Sequence, residues 1–317
     1  MHKPSLSMTR AGKAAKLLRM QHTDSHPILS ANAGGCLHCR GGGASPWQAR
    51  RAFLRLGSAS VLAGAAGSAL AQVDVGNASG FRQLVPADTL EGSASTQYQQ
   101  LLAQAKAQGA LAPASHPQLK RLHAIARRLI PHTLQWNDRA RNWRWEVNLI
   151  GSKEINAFCM PGGKIAFYTG ILDQLQLTDD EAAMIMGHEM AHALREHSRA
   201  QLAKSQATSL GLSLGAQLLG LGDLGNAAAK LGTQLLSLKF SRSDESDADL
   251  VGLEIAARAG YNPQAAVTLW QKMGAATGSG GSGLAFLSTH PSGPDRIETL
   301  ARNVPKVQGL YSQAPRK

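Results

Sequence analysis

His188-Glu189-Met190-Ala191-His192 sets two imidazoles four residues apart, with a carboxylate directly after the first. On a helix, residues four apart share one face, so both rings can reach a single metal ion. Glu189 then stands where a carboxylate can take a proton from water that the metal has acidified. The chemistry suggested is metal-assisted hydrolysis. A run of this form also arises by chance in roughly one chain in a hundred of this length, so its surroundings must carry the argument.

Catalytic zinc usually takes three protein ligands and leaves one position open. The pattern that adds a third His downstream needs Gly and His at places held here by Arg195 and Ser198, which excludes that class. His197 lies five residues past His192, off the shared face of a continuous helix, and is not expected as a ligand. Glu245 and Asp249 lie four apart and would again share a helical face. Glu245 can bind the metal while Asp249 holds a ligating imidazole from outside. The same acids also read as a charged helix start, which the helix dipole favours.

These groups need elements to position them. Thr178-Asp179-Asp180-Glu181 is a capping box opening a helix to about Ala203, with the two His near its middle. A second helix should run from about Arg242 to Ala259, stopped by Gly260. Apolar residues at Leu119, Leu122, Ile125 and Leu129 mark a helix ended by Pro131. Alternation from Trp143 to Ile150 reads as a strand, and 155–160 and 164–169 as a hairpin around Pro161-Gly162-Gly163. Residues 72–95 show no period and read as loose. A last helix runs from about Pro294 to Asn303. Helices, a small antiparallel sheet, then helices make an α+β domain.

The net charge of +12 at first suggests nucleic acid, but its distribution argues otherwise. Residues 1–71 hold nine of the 33 Lys/Arg and one of the 21 Asp/Glu, leaving 24 and 20 in the remainder. That segment reads as a leader. Arg50-Arg51-Ala52-Phe53-Leu54-Arg55 resembles a twin-arginine export signature, and an apolar run follows to Ala69-Leu70-Ala71, a cleavage signal. An ordinary secretory signal is the alternative. The expected location is the periplasm of a Gram-negative bacterium, a mitochondrial presequence being the lesser reading. Cys36-Leu37-His38-Cys39 is an isolated C-x-x-C and a weak metal signal. Beyond the leader Cys159 stands alone, excluding an internal disulfide there. No stretch after the leader reads as a transmembrane helix. Leu210 to Leu238 reads as a loosely packed helical region, with membrane contact as the other reading.

Five stretches, in order, resemble zinc metallopeptidase family forty-eight, which includes the HtpX, CAAX prenyl endopeptidase and BepA-type proteases. They are Asn156-Ala157-Phe158 with Pro161-Gly162-Gly163; His188 to His192; Ser241 to Asp249; Gly260-Tyr261-Asn262-Pro263; and Ser288-Thr289-His290-Pro291 with Arg296. The likeness is to soluble, exported members and spans about residues 116–302. It implies a mainly helical, gluzincin-type metallopeptidase domain over 116–305, after a leader (1–71) and an N-terminal segment (72–115) and before a tail (306–317). It also implies one zinc ion per chain on His188, His192 and Glu245, with Asp249 as outer partner. Glu189 would be the base. His290 would approach the oxyanion or the zinc, and Arg296 would support that loop or the transition state. Asn156, Ala157 and Phe158 would be the edge on which a peptide lies. The implied substrates are proteins or peptides, with envelope assembly proteins among the partners and quality control as the role. A chaperone or assembly factor with a self-blocked zinc site needs the same ligands and is the alternative.

Overall fold

The computed structural model describes residues 73–209, 232–278, 285–290 and 294–315. All of them belong to the second of two compact units, residues 65–317. The leader signals over 1–71, Cys36 and Cys39, the apolar stretch 210–231, loop residues 279–284 and Pro291 lie outside the described residues.

In chain order the main elements are α1 (Ala87–Ala107), α2 (Pro117–Leu129), β1 (Glu146–Ile150), β2 (Ala157–Met160), β3 (Lys164–Tyr168), α3 (Thr169–Gln174), α4 (Asp179–Leu194), α5 (His197–Ser209), α6 (Arg242–Arg258), α7 (Ala265–Gly278), α8 (Ala285–Thr289) and α9 (Pro294–Gln313). Short 3-10 segments include Gly80–Leu84 and Gly232–Ser237. The architecture is mainly helical with one three-stranded sheet, as expected.

The sheet order is β1-β3-β2. β2 and β3 form the antiparallel hairpin, with Phe158 opposite Ala166. Gly162 (φ 83°) and Gly163 (φ 77°) supply its turn, in backbone conformations that side chains resist. β1 instead runs parallel to β3, with Val147 opposite Ile165, so the sheet is mixed rather than wholly antiparallel. Local alternation reveals a strand but not its distant partner or direction. Among the described residues β2 has one unpaired edge.

α4 is the core helix. Every residue from Glu181 to Leu194 is buried, so it is packed on all sides. Its start is the capping box: Thr178 Oγ1 accepts from the Glu181 N–H, and the Glu181 carboxylate accepts from the Thr178 N–H at 2.9 Å. α6 begins with a second such box, Ser241 with Asp244. The two helices meet backbone to backbone at two glycines. A Cβ on Gly187 would lie 2.8 Å from the Gly252 carbonyl oxygen, and one on Gly252 would lie 2.6 Å from the His188 nitrogen. Gly252 shares a face with Asp249 and Glu245, three and seven residues earlier. Their short acidic side chains therefore start close enough to reach His188 and His192.

Three elements differ from the sequence expectation. Residues 87–95 are helical despite Gly92, Ser93 and Ser95, because Leu90, Ala94 and Tyr98 form a buried stripe and Tyr98 Oη donates to the Ile165 carbonyl. α9 continues past Asn303 and through Pro305 to Gln313, with Val307 buried in the core. Most consequentially, the helix from Thr178 does not run on to Ala203. It ends at Leu194, Glu196 takes a left-handed turn (φ 57°), and α5 begins at His197. No Gly or Pro marks that break, which is why periodicity misses it.

Candidate metal centre

α4 delivers His188, Glu189 and His192, and α6 delivers Glu245 and Asp249. His290 follows α8, and its backbone N–H is held by the Phe286 carbonyl at 2.8 Å. His188, His192, Glu245 and His290 are all buried, with one ligand atom of each within 4.8 Å of the others. Four ligands placed 2.0–2.1 Å around tetrahedral zinc stand roughly 3.3 Å apart. Here His188 Nε2 lies 3.1 Å from His192 Nε2, 3.6 Å from Glu245 Oε2 and 3.4 Å from His290 Nδ1. Glu245 Oε1 lies 3.4 Å from His192 Nε2 and 3.0 Å from His290 Nδ1. Donor types and spacings thus fit a tetrahedral ion.

The surrounding charges hold this set. Asp249 Oδ1 lies 3.1 Å from His188 Nδ1, on the side of the ring away from the cluster. Arg296 spans both acids, donating to the two Asp249 oxygens at 2.7 Å each and reaching Glu245 Oε2 at 2.7 Å. Its guanidinium also sits 3.6 Å over the Trp270 ring. Burial alone would raise both carboxyls. For Asp249 the charge and hydrogen bonds of Arg296, together with His188, outweigh burial and lower the pKa; for Glu245 hydrogen bonds with His192 and His290, together with the charges of His188 and His192, do so. Burial drives the His192 pKa well below its usual value, so the ring stays neutral and its lone pair free for a metal.

Glu189 behaves differently. Burial raises its pKa, against opposing pulls from His290 and His188. Its Oε1 has no hydrogen-bond partner among the described residues, and His290 Nε2 stands 3.5 Å away. The Cys159 backbone in β2 lies beside the carboxylate and offsets part of that rise. A buried carboxyl with a free oxygen beside a metal set is poised to take and return a proton. Cys159 is buried, and burial with the nearby Glu189 raises its thiol pKa well above normal, which disfavours the reactive thiolate.

Asn156, Ala157 and Phe158 line a pocket with Glu189, His192 and His290. The Tyr168 N–H donates to the Asn156 carbonyl at 3.1 Å, so alternate residues along β2 turn their backbone toward β3. The groups of Ala157 and Cys159 face the unpaired edge. Leu235, Leu236, Leu238 and Phe240 form the opposite lip, and Phe240 stacks on His192 at 3.9 Å between ring centroids.

The structure brings all ten residues expected at the site to one place. Sequence reading missed Phe240, the Gly187–Gly252 contact and the partner of His192. Phe240 is close in sequence to Glu245, and two glycines inside helical patterns signal close backbone approach. On a continuous helix His197 would point away from His192; the break at Glu196 instead folds its Nδ1 back to 3.0 Å from His192 Nδ1.

Known proteins share this arrangement's sequence. Residues 116–304 match the model of peptidase family M48. The mitochondrial metalloendopeptidase OMA1 of Schizosaccharomyces pombe is 39% identical over 166 residues, 52% of this chain and 48% of that protein. Metalloprotease LoiP of Escherichia coli is 27% identical over 192 residues, covering 60% and 72%. The beta-barrel assembly-enhancing protease of the same organism is 30% identical over 177 residues, covering 52% and 36%. The chain spans about half the length of the fission-yeast OMA1, and less of some other relatives. With the family model covering more than half of its residues, the chain belongs to peptidase family M48.

Proposed function

We propose that this chain is a zinc-dependent endopeptidase, exported to the cell envelope, where it cleaves misfolded or misassembled proteins. The observation that carries the catalytic part is Glu189, buried and without a hydrogen bond at Oε1 among the described residues, beside the donors His188, His192 and Glu245. Zinc held by His188, His192 and Glu245 supplies Lewis acidity, which acidifies water and polarises a carbonyl. Glu189 takes the proton of the attacking water and returns it to the leaving amine. Ala157 and Cys159 offer backbone groups to an extended substrate along the open edge of β2. Arg296 keeps the Glu245 and Asp249 carboxylates ionised and in place rather than touching substrate.

The envelope role draws on the likeness to the beta-barrel assembly-enhancing protease and on the leader signals. The OMA1 relatives supply the mitochondrial alternative. Among the described residues no helix is long and apolar enough to cross a membrane.

One observation favours a second reading, a self-blocked site in a chaperone or assembly factor. His290 Nδ1 lies 3.4 Å from His188 Nε2 and 3.0 Å from Glu245 Oε1, near enough to join the three other donors and exclude water. The two readings are separated by casein cleavage with and without a chelator in wild type and His290→Ala. A His290→Ala protein that cleaves faster identifies His290 as a block. One that retains zinc but cleaves about 100-fold slower identifies it as oxyanion support.

A further inference from the structure

The two His of α4 are supported differently. His188 meets Asp249 directly, whereas among the described residues His192 Nδ1 meets no carboxylate but His197. His192 presents Nε2 to the donor set, 3.1 Å from His188 Nε2 and 3.4 Å from Glu245. Binding a metal there requires the lone pair on Nε2, so the ring proton must sit on Nδ1. That proton points at His197 Nδ1, 3.0 Å away, which must accept it. The proton of His197 then belongs on Nε2, 3.3 Å from Asp247 Oδ2 and 4.0 Å from Asp244 Oδ1. Asp247 Oδ2 is itself fixed by Arg195 Nε at 2.8 Å, and Arg195 also donates to the Gly76 carbonyl at 2.8 Å. Every tautomer in this chain follows from the one the metal demands.

We propose that His197 and Asp247 are positioning residues for His192. They form a relayed outer support that fixes the tautomer and tilt of its ring, parallel to the direct support of His188 by Asp249. The inference rests on the zinc reading above. His197 is 3% exposed, and its ring stands at 75° to that of His192 with centroids 5.0 Å apart, which suits an edge-on hydrogen bond rather than a stack. The left-handed Glu196 makes the contact possible by turning α5 back along the end of α4. A five-residue spacing that fails on a straight helix succeeds across this break.

The test uses the full chain as wild type, His197→Ala, His197→Asn and Asp247→Asn. Zinc dissociation constants are measured by competition with a chromophoric chelator, visible spectra are recorded on the cobalt-substituted proteins, and far-UV circular dichroism monitors the fold. Asn places a carbonyl oxygen near the position of the His Nδ1, so it keeps the acceptor while discarding the ring. The expected result is that His197→Ala weakens zinc by roughly 10- to 100-fold and shifts the cobalt bands. His197→Asn should restore affinity to within about threefold of wild type, and Asp247→Asn should fall between. If His197→Ala does not fold, the Asn variants decide alone, against wild type. The proposal is overturned if His197→Ala binds zinc as wild type does with unchanged bands. It is equally overturned if His197→Asn loses as much as His197→Ala, or if both Asn variants bind far more weakly than wild type. A wild-type chain that takes up no zinc overturns the metal reading and this one together; wild-type binding with an indifferent His197 overturns this one alone.

Discussion

The two walls of the site are built on opposite plans. The helical wall, α4 against α6, is buried at every site residue and held by charge: Arg296 between Glu245 and Asp249, Asp249 on His188, and a glycine contact that fixes the distance between the helices. The sheet wall is the open edge of β2 with an apolar lip of Leu235, Leu236, Leu238 and Phe240, and Leu236 is exposed. Buried paired charges tolerate little displacement, because an unpartnered charge left behind is costly. An apolar half-exposed lip carries no such constraint. The contrast teaches that metal position and substrate choice are separable here, and that substitutions should sort by wall.

The largest effect expected on the helical wall is from Glu245→Ala. It removes a donor and leaves Arg296 short of a partner; metal analysis should fall from about one ion per chain to near none, with cleavage at background. A Glu245→Ala protein that keeps its zinc would break the comparison at its base. Next is Asp249→Asn, expected to weaken zinc about 10- to 100-fold in chelator competition because His188 loses its outer acceptor. Gly252→Ala should destabilise the fold by about 1–3 kcal/mol in urea unfolding, since its methyl meets the backbone of His188 and the helices must part. On the sheet wall, Phe158→Ala should leave zinc content and unfolding unchanged while raising KM about fivefold, the worth of roughly 1 kcal/mol of lost apolar contact. Zinc loss in Phe158→Ala would show that the walls are not independent.

Much of the helical wall was legible in sequence because its chemistry is local. His188 and His192, and Glu245 and Asp249, are four-residue pairs on single helices, and capping residues announce where those helices start. The hairpin was legible from Pro161-Gly162-Gly163. What escaped depends on contacts between distant segments. The parallel pairing of β1 with β3 is set by a partner that alternation does not identify. The helicity of 87–95 comes from packing against the sheet, against the preferences of its own Gly and Ser. The role of His197 was hidden by a helix break at a glutamate, a residue that ordinarily continues a helix. The resemblance to family forty-eight, carried by five short stretches, agrees with the family match over residues 116–304.

The central claim is that Glu189 is the proton-transfer group of a metal site whose geometry does not depend on it. The most direct measurement is zinc content and casein cleavage of Glu189→Gln beside wild type, each with and without a chelator. The account predicts equal zinc in both proteins, chelator-sensitive cleavage by wild type, and a loss of about 100- to 10,000-fold in Glu189→Gln. Cleavage by Glu189→Gln at the wild-type rate with zinc retained would contradict it.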